Sequence, residues 1–306
     1  MKFDVILTNP PFQDTVNRNK TPHKLWIDFT LAMFDRLLED GGSLMQVSPA
    51  SFSSPSNVVL SLMEENQTMV LRFENEHHFP GVASTFSDYW IIKTPNDARP
   101  TRVVKSAETF DIELDRSMSY LPNDVCRLAM SIHTKVMFSG RPKLGVEWDY
   151  VTAHNIRRYD KEPTLVEEPD ELHPHPIFHT NRSTWWSSIR QDWASDLKVM
   201  WTRSGYTKPF YDAGVHGGTD MVYYVRVQSE DEGQALAANL NSQVMQYIYK
   251  TAKWSGFGNE RVFAGLPDVP RTHALTDDEM DSFFGLDPEE VAYVRAAVAP
   301  RRRKAG

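Results

Sequence analysis

The sequence predicts an α/β protein in which residues 1–110 form part of a doubly wound sheet and a mixed α+β segment follows. Three observations predict it. Apolar, β-prone runs recur at residues 3–7, 43–49, 68–76 and 84–94, and helical periodicity separates the first three of them. Residues 140–235 carry instead short strand-like runs, scattered prolines and the tryptophans Trp185, Trp186, Trp193 and Trp201. Helical periodicity then returns at residues 231–252 and 287–298.

The first run, Phe3, Val5, Ile6 and Leu7, is as apolar as a strand buried in a parallel sheet. It leads into the tetrad Asn9, Pro10, Pro11, Phe12. In KLWIDFTLAMFDRLLEDGG the residues Trp26, Phe29, Met33 and Leu37 recur three or four apart, and Gly41-Gly42 is expected to stop that helix. The strand SLMQVSP follows, then SNVVLSLMEEN as a helix with Ser56 as its cap, then TMVLRFENE and STFSDYWIIKT as strands. NDVCRLAMSIHTKV places Val125, Leu128, Ala129, Ile132 and Val136 on one helical stripe. Beyond it, the prolines of EEPDELHPHP predict loops and ribbons on a small core. DEGQALAANLNSQVMQYIYKTA reads as one helix. In DPEEVAYVRAAV, Asp287 caps, Pro288 takes the first helical position and Glu290 completes a capping box. The expected domains are residues 1–110, 111–275 and 276–306, the last holding a helix and the basic tail RRRK.

At 306 residues, 41% hydrophobic and 24% charged, the chain can bury one large core or two smaller ones, which excludes a disordered or fibrous class. The single Cys126 rules out an internal disulfide framework and fits a reducing cytoplasm. No apolar run approaches membrane-spanning length, and the N-terminus lacks the layout of a secretory signal. A net charge of −8 and a pI near 5.7 exclude a nonspecific polycation. A local basic face on such a protein can still bind phosphates.

Chemistry enters at the tetrad. The exocyclic amine of an aromatic base is a poor nucleophile because its lone pair is delocalised into the ring. Two acceptors, the Asn9 side-chain oxygen and the Pro10 carbonyl, can each take one amine hydrogen and leave the lone pair aimed at an electrophile. Consecutive prolines hold the acceptors at a fixed angle, and Phe12 offers a face on which a planar base stacks. The carboxyl end of a strand in a doubly wound sheet is where ligands bind. A plain surface turn is the alternative, since Asn and Pro are ordinary turn residues.

With these residues the chain resembles the amino-group DNA methyltransferases, in particular the adenine-N6 enzymes of type II restriction-modification systems. FDVILTNPPFQ looks like that family's catalytic motif, with Asn9, Pro10, Pro11 and Phe12 as its tetrad. DGGSLMQVSP looks like the strand after it, and HHFPGVASTFSDYWIIKT like the motif that supplies the second wall of the base pocket. NLNSQVMQYIY, GFGN and LPDVP look like its target recognition domain, and FFGLDPEEVAYV like its closing helix. The resemblance implies a partial Rossmann-like methyltransferase sheet over residues 1–110 and a DNA recognition domain over 111–275. It implies S-adenosylmethionine as cofactor and double-stranded DNA as partner. A flipped adenine would lie between Phe12 and Phe79, with Phe86, seven residues on, a rival for the second wall.

The family also needs a Gly-rich loop to cradle the cofactor. Of the sites available, FSGRP at 138–142 lacks a second glycine, SGFGNE at 255–260 lacks a preceding strand that could serve, and GVHGGTD at 214–220 sits between an aromatic loop and the strand MVYYVRV. The expectation is therefore a chain lacking the cofactor-binding half, with that motif carried by a second polypeptide. Two alternatives stand beside an adenine methyltransferase of restriction-modification or phage type. One is a noncatalytic DNA-binding remnant, and the other is a protein glutamine methyltransferase, whose tetrad is similar.

Among the other candidates, His173, His175 and His179 suit a solvated loop better than a metal site, so no metal is expected. His77 and His78 read as polar loop residues. The basic residues Arg182, Arg190, Lys198, Arg203 and Lys208, set among tryptophans, suit DNA contact. The tryptophans suit equally the filling of a thin core.

Overall fold

The apolar run at the start of the chain is a strand, β1 (Phe3–Thr8). The computed structural model describes residues 1–13, 24–74, 85–154, 164–180, 183–205, 208–253 and 260–299. The chain divides into two units, residues 1–130 and 131–306.

In the first unit β1 is followed by α1 (Leu25–Ala32), which runs into a π-helical stretch at Met33–Leu37, and by β2 (Leu38–Pro49). Then come α2 (Val58–Glu65), β3 (Asn66–Phe73), β4 (Phe86–Pro95), β5 (Thr101–Lys105) and β6 (Glu108–Ile112). The strands form one mixed sheet in the order β1-β2-β4-β3-β5-β6. β1 and β2 are parallel, and β4 runs antiparallel to both of its neighbours. Trp26, Leu44, Phe52, Val59, Met63, Leu71 and Ile91 are buried in its core. β1 is an edge strand, and among the described residues nothing pairs with its outer side. Phe3, Val5 and Leu7 are exposed by 45%, 60% and 80%. An edge of that kind is open to pairing with another chain.

Two local expectations are corrected here. Gly41-Gly42 does not stop the helix, which ends at Leu37; the two glycines lie inside β2. There the register against β1 shifts between Phe3 and Val5, with Gly41 at φ +82°. A Cβ on Gly42 would lie 2.9 Å from the Glu39 carbonyl oxygen, so the kink demands glycine. Asn57 rather than Ser56 caps α2, its side chain accepting from the Val59 N–H at 3.0 Å. Ser56 sits at φ +59° one position earlier. The hairpin β5–β6 has no counterpart in the sequence reading.

α3 (Arg127–Val136) spans the division between the units. In the second unit follow β7 (Leu165–Val166), β8 (His175–Phe178), β9 (Thr184–Ser187), β10 (Leu197–Thr202), β11 (Phe210–Ala213), β12 (Gly217–Gly218) and β13 (Val222–Arg226). They form two small sheets, β11-β10-β13 and β12-β8-β9-β7. The ribbons close on Phe178, Trp193, Met200, Val222 and Tyr224, with Trp193 and Tyr224 stacked at 4.0 Å and 10°. Trp193 and Trp201, 8% and 2% exposed, are core residues.

The helix expected at 231–252 is two helices, α4 (Glu230–Leu240) and α5 (Gln243–Thr251). Polar side chains make the break. Asn239 donates to the Pro270 and His273 carbonyls and accepts from the Leu275 N–H, while Asn241 donates to the Pro209 carbonyl at 2.7 Å. Side chains that recruit distant backbone in this way compete with helix continuation. α6 (Glu260–Ala264), α7 (Asp277–Phe284) and α8 (Pro288–Val298) complete the unit. The capping box of Asp287 and Glu290 is present, and Glu290 is 1% exposed and also holds Lys135 at 2.6 Å. Among the described residues no helix is long and apolar enough to cross a membrane.

Candidate functional site

Parallel pairing sends β1 and β2 out of the sheet at the same end, with Thr8 opposite Gln46. β4 enters at that end, Phe86 opposite Pro49. The tetrad follows β1 directly. Asn9 and Pro11 are exposed, Pro10 is buried and Phe12 is half-buried. The Phe12 ring lies 5.1 Å from that of Phe86, tilted by 37°. An exposed carboxamide, a φ-restricted proline pair and an aromatic ring therefore meet at one end of the sheet.

The residues around that end are held by a buried network. Gln46, 1% exposed, donates to Thr30 Oγ1 at 2.7 Å, and Thr30 donates to the Trp26 carbonyl at 2.6 Å. Tyr89, 3.5 Å from Thr30, has its phenol pKa raised by burial. Phe86 is 1% exposed, so it backs Phe12 and has no open face for a base. Phe79, His77 and His78 lie outside the described residues.

In residues 131–306 the basic candidates separate. Arg203 and Lys208 line one cavity, and Arg190 lines another beside Gly214 and Val215. Lys198 is corrected from the DNA-binding set. Its side chain is fully buried and donates to Asp212 at 2.8 Å and to the Ala194 and Asp196 carbonyls. Its charge is spent inside the protein. Burial opposes the charge on Asp212, yet hydrogen bonds from His216 and Lys198 hold its carboxyl well below the usual range. Arg182 and the RRRK tail lie outside the described residues. Lys250 and Lys253, which the sequence reading passed over, share the cavity of Arg203 and Lys208. The signal was present: Gln246, Tyr249, Lys250 and Lys253 recur three or four apart on and just beyond α5.

The glycines at 214–218 do not form a cofactor cradle. Asp212 takes the N–H groups of Val215 and His216, and Gln191 takes that of Gly218. GFGN lies outside the described residues. Two of the three histidines, His173 and His179, are not solvated loop residues, while His175 is half-buried. His173 is 7% exposed with Asp170 at 2.8 Å, and His179 is 8% exposed and stacks on Trp185 at 4.8 Å. Among the described residues no group of three His, Cys, Asp or Glu could hold a metal ion.

No protein-family model and no curated protein matches the sequence. Solved structures match in part. A nuclease-deletion mutant of the Type ISP restriction-modification enzyme LlaGI, in complex with a DNA substrate mimic, is 8% identical, with 95% of this chain and 34% of that one covered and a TM-score of 0.41. The Type IIL restriction-modification enzyme MmeI in complex with DNA is 12% identical, with 97% and 55% covered and a TM-score of 0.35. The M protein of the Type I restriction enzyme EcoKI is 16% identical, with 34% and 25% covered and a TM-score of 0.28. The chain spans from 25% to 55% of the length of these three. TM-scores this low carry nothing over to its fold or chemistry.

Proposed function

We propose that this chain is the catalytic-motif and recognition part of a DNA adenine-N6 methyltransferase of the restriction-modification kind. The observation that carries the reading is the tetrad Asn9-Pro10-Pro11-Phe12 at the carboxyl end of β1, exposed at Asn9 and backed at Phe12 by Phe86. In this reading Asn9 Oδ1 and the Pro10 carbonyl accept the two hydrogens of the adenine amine and localise its lone pair. Phe12 stacks on the extruded base, with Phe79 as the opposite wall. Residues 111–275 read the flanking bases, with Arg190, Arg203 and Lys208 toward phosphates.

S-adenosylmethionine supplies the methyl group in this chemistry. The Gly214–Gly218 segment does not fit it, since the N–H groups of Val215, His216 and Gly218 are already taken by Asp212 and Gln191. The reading assigns the cofactor-binding half to a second polypeptide that pairs with the outer side of β1, which is unpaired among the described residues. Asn9→Ala, assayed by labelled methyl transfer to DNA in the presence of such a partner, is expected to raise the barrier by about 2–4 kcal/mol with DNA affinity unchanged. Undiminished transfer by that variant would remove the reading.

A further inference from the structure

Trp201 at the end of β10, Gln246 and Tyr249 on α5, and Lys253 just beyond it line a cavity of about 200 Å³. Arg203, Lys208 and Lys250 stand around it, and among the described residues no acidic side chain lines it. Glu260 offsets Arg203 in part, at 3.1 Å. Phe263 makes an aromatic wall, its ring 6.1 Å from Trp201 and 5.9 Å from Tyr249.

Among the described residues, three of the lining side chains carry a buried polar group with no partner: the Trp201 indole N–H, the Gln246 Nε2 group and the Tyr249 hydroxyl. Trp201 is 2% exposed. Unsatisfied buried donors are costly, and native proteins rarely gather three in one place. Lys253 is drawn into the same space. Burial lowers its pKa, and a Cβ on Gly205 would stand 2.9 Å from its Nζ. The indole and amide N–H groups donate and the hydroxyl can donate, while Arg203, Lys208, Lys250 and Lys253 make the surroundings positive, so what suits the cavity is an acceptor with negative charge.

The donors come from β10, from the loop after it and from α5, which suits a tetrahedral oxyanion better than a planar carboxylate. The cavity is smaller than the roughly 300–1,000 Å³ of sites that enclose whole drug-sized ligands, so it takes one group of a ligand. A second cavity of about 650 Å³ shares Lys208, Gln246 and Lys250 and adds Arg295. The rest of a ligand has a basic surface along which to continue. We propose that the 200 Å³ cavity binds a phosphate group, of a nucleic-acid backbone or of a free phosphate ester.

The test is a titration of the full chain with inorganic phosphate at constant ionic strength, following the indole N–H resonances by NMR. A saturable shift of the Trp201 resonance is expected, weakened about tenfold by Lys253→Met and several-fold by Tyr249→Phe. Lys208→Met, at an exposed position, repeats the charge test without disturbing the core. No saturable shift, or variants that fold and bind phosphate like the parent, would overturn the assignment. Two further arms separate the sources. If the ligand is a backbone phosphate, Lys253→Met lowers the salt slope of duplex DNA binding by about one counterion. If a mononucleotide competes and duplex does not, the source is a free ester, and the phosphate site stands. Neither arm reads methyl transfer, so failure of the methyltransferase reading would leave the phosphate site intact.

Discussion

In residues 1–130 the side chain that carries the candidate chemistry, Asn9, is on the surface, whereas in residues 131–306 several charged and imidazole side chains are enclosed. Asn9 is exposed, and β1 presents Phe3, Val5 and Leu7 outward. In the second unit Lys198, Asp212, His133, His173, His179 and Glu290 are all buried, and each has a specific partner. Residue type alone does not distinguish the two cases. A basic or imidazole side chain enclosed with its partner is accounted for by folding, because an unpaired buried charge is so costly. The exposed Asn9 has no such partner among the described residues, and that surplus is what points to a site.

Breaking the enclosed set is expected to have the largest effect. Lys198→Met leaves the Asp212 carboxylate buried without its cation and should destabilise the protein by about 3–5 kcal/mol in urea denaturation. A loss below 1 kcal/mol would mean that Asp212 is satisfied by His216 alone, a figure at the level of about one ordinary hydrogen bond.

Protonation tests the same contrast with opposite signs in the two units. Burial lowers the pKa of His133 from 6.5 to about 3, while its Nε2 meets Thr251 at 2.8 Å. As pH falls the unfolded chain takes up the proton first, so this contribution is present above pH 6.5 and is lost progressively toward pH 3. Between pH 7 and pH 5 it amounts to about 2 kcal/mol, and a neutral replacement, His133→Gln, should flatten that slope. In the first unit burial, then Asp115 and Glu65, raise Glu64 from 4.5 to about 7. There the unfolded chain ionises first as pH rises, so the contribution is present below pH 4.5 and is lost toward pH 7. Glu64→Gln should therefore stabilise the protein at pH 8 and leave it unchanged at pH 4, a smaller effect because Glu64 is only half-buried. Thermal melts at the two pH values check both variants.

The smallest effect is expected at the exposed edge. Leu7→Lys should change stability by no more than about 0.5 kcal/mol, as surface substitutions do, while reducing self-association in sedimentation experiments. A large destabilisation would show that β1 is bound into the fold more tightly than its exposure indicates.

Some of the molecule was legible before any coordinates. The sequence by itself determined the strands and helices around the tetrad, the position of Asn9 to Phe12 just after a strand, and the capping box of Asp287 and Glu290. These depend on neighbours within a few residues, where periodicity and hydrogen-bond reach are set by the chain itself. Tertiary structure decided the rest. It turned Gly41-Gly42 from a helix stop into a kink within β2, because pairing with β1 sets the register there. It split the long helix at Asn241, because Asn239 and Asn241 reach backbone some thirty residues away. It removed Lys198 from the phosphate-facing set, since no local pattern says that Asp212 will stand 2.8 Å from its ammonium. It gathered Trp201, Gln246, Tyr249 and Lys253 around one cavity. Such sites join residues from separate segments, and only the folded backbone brings their donors to one place.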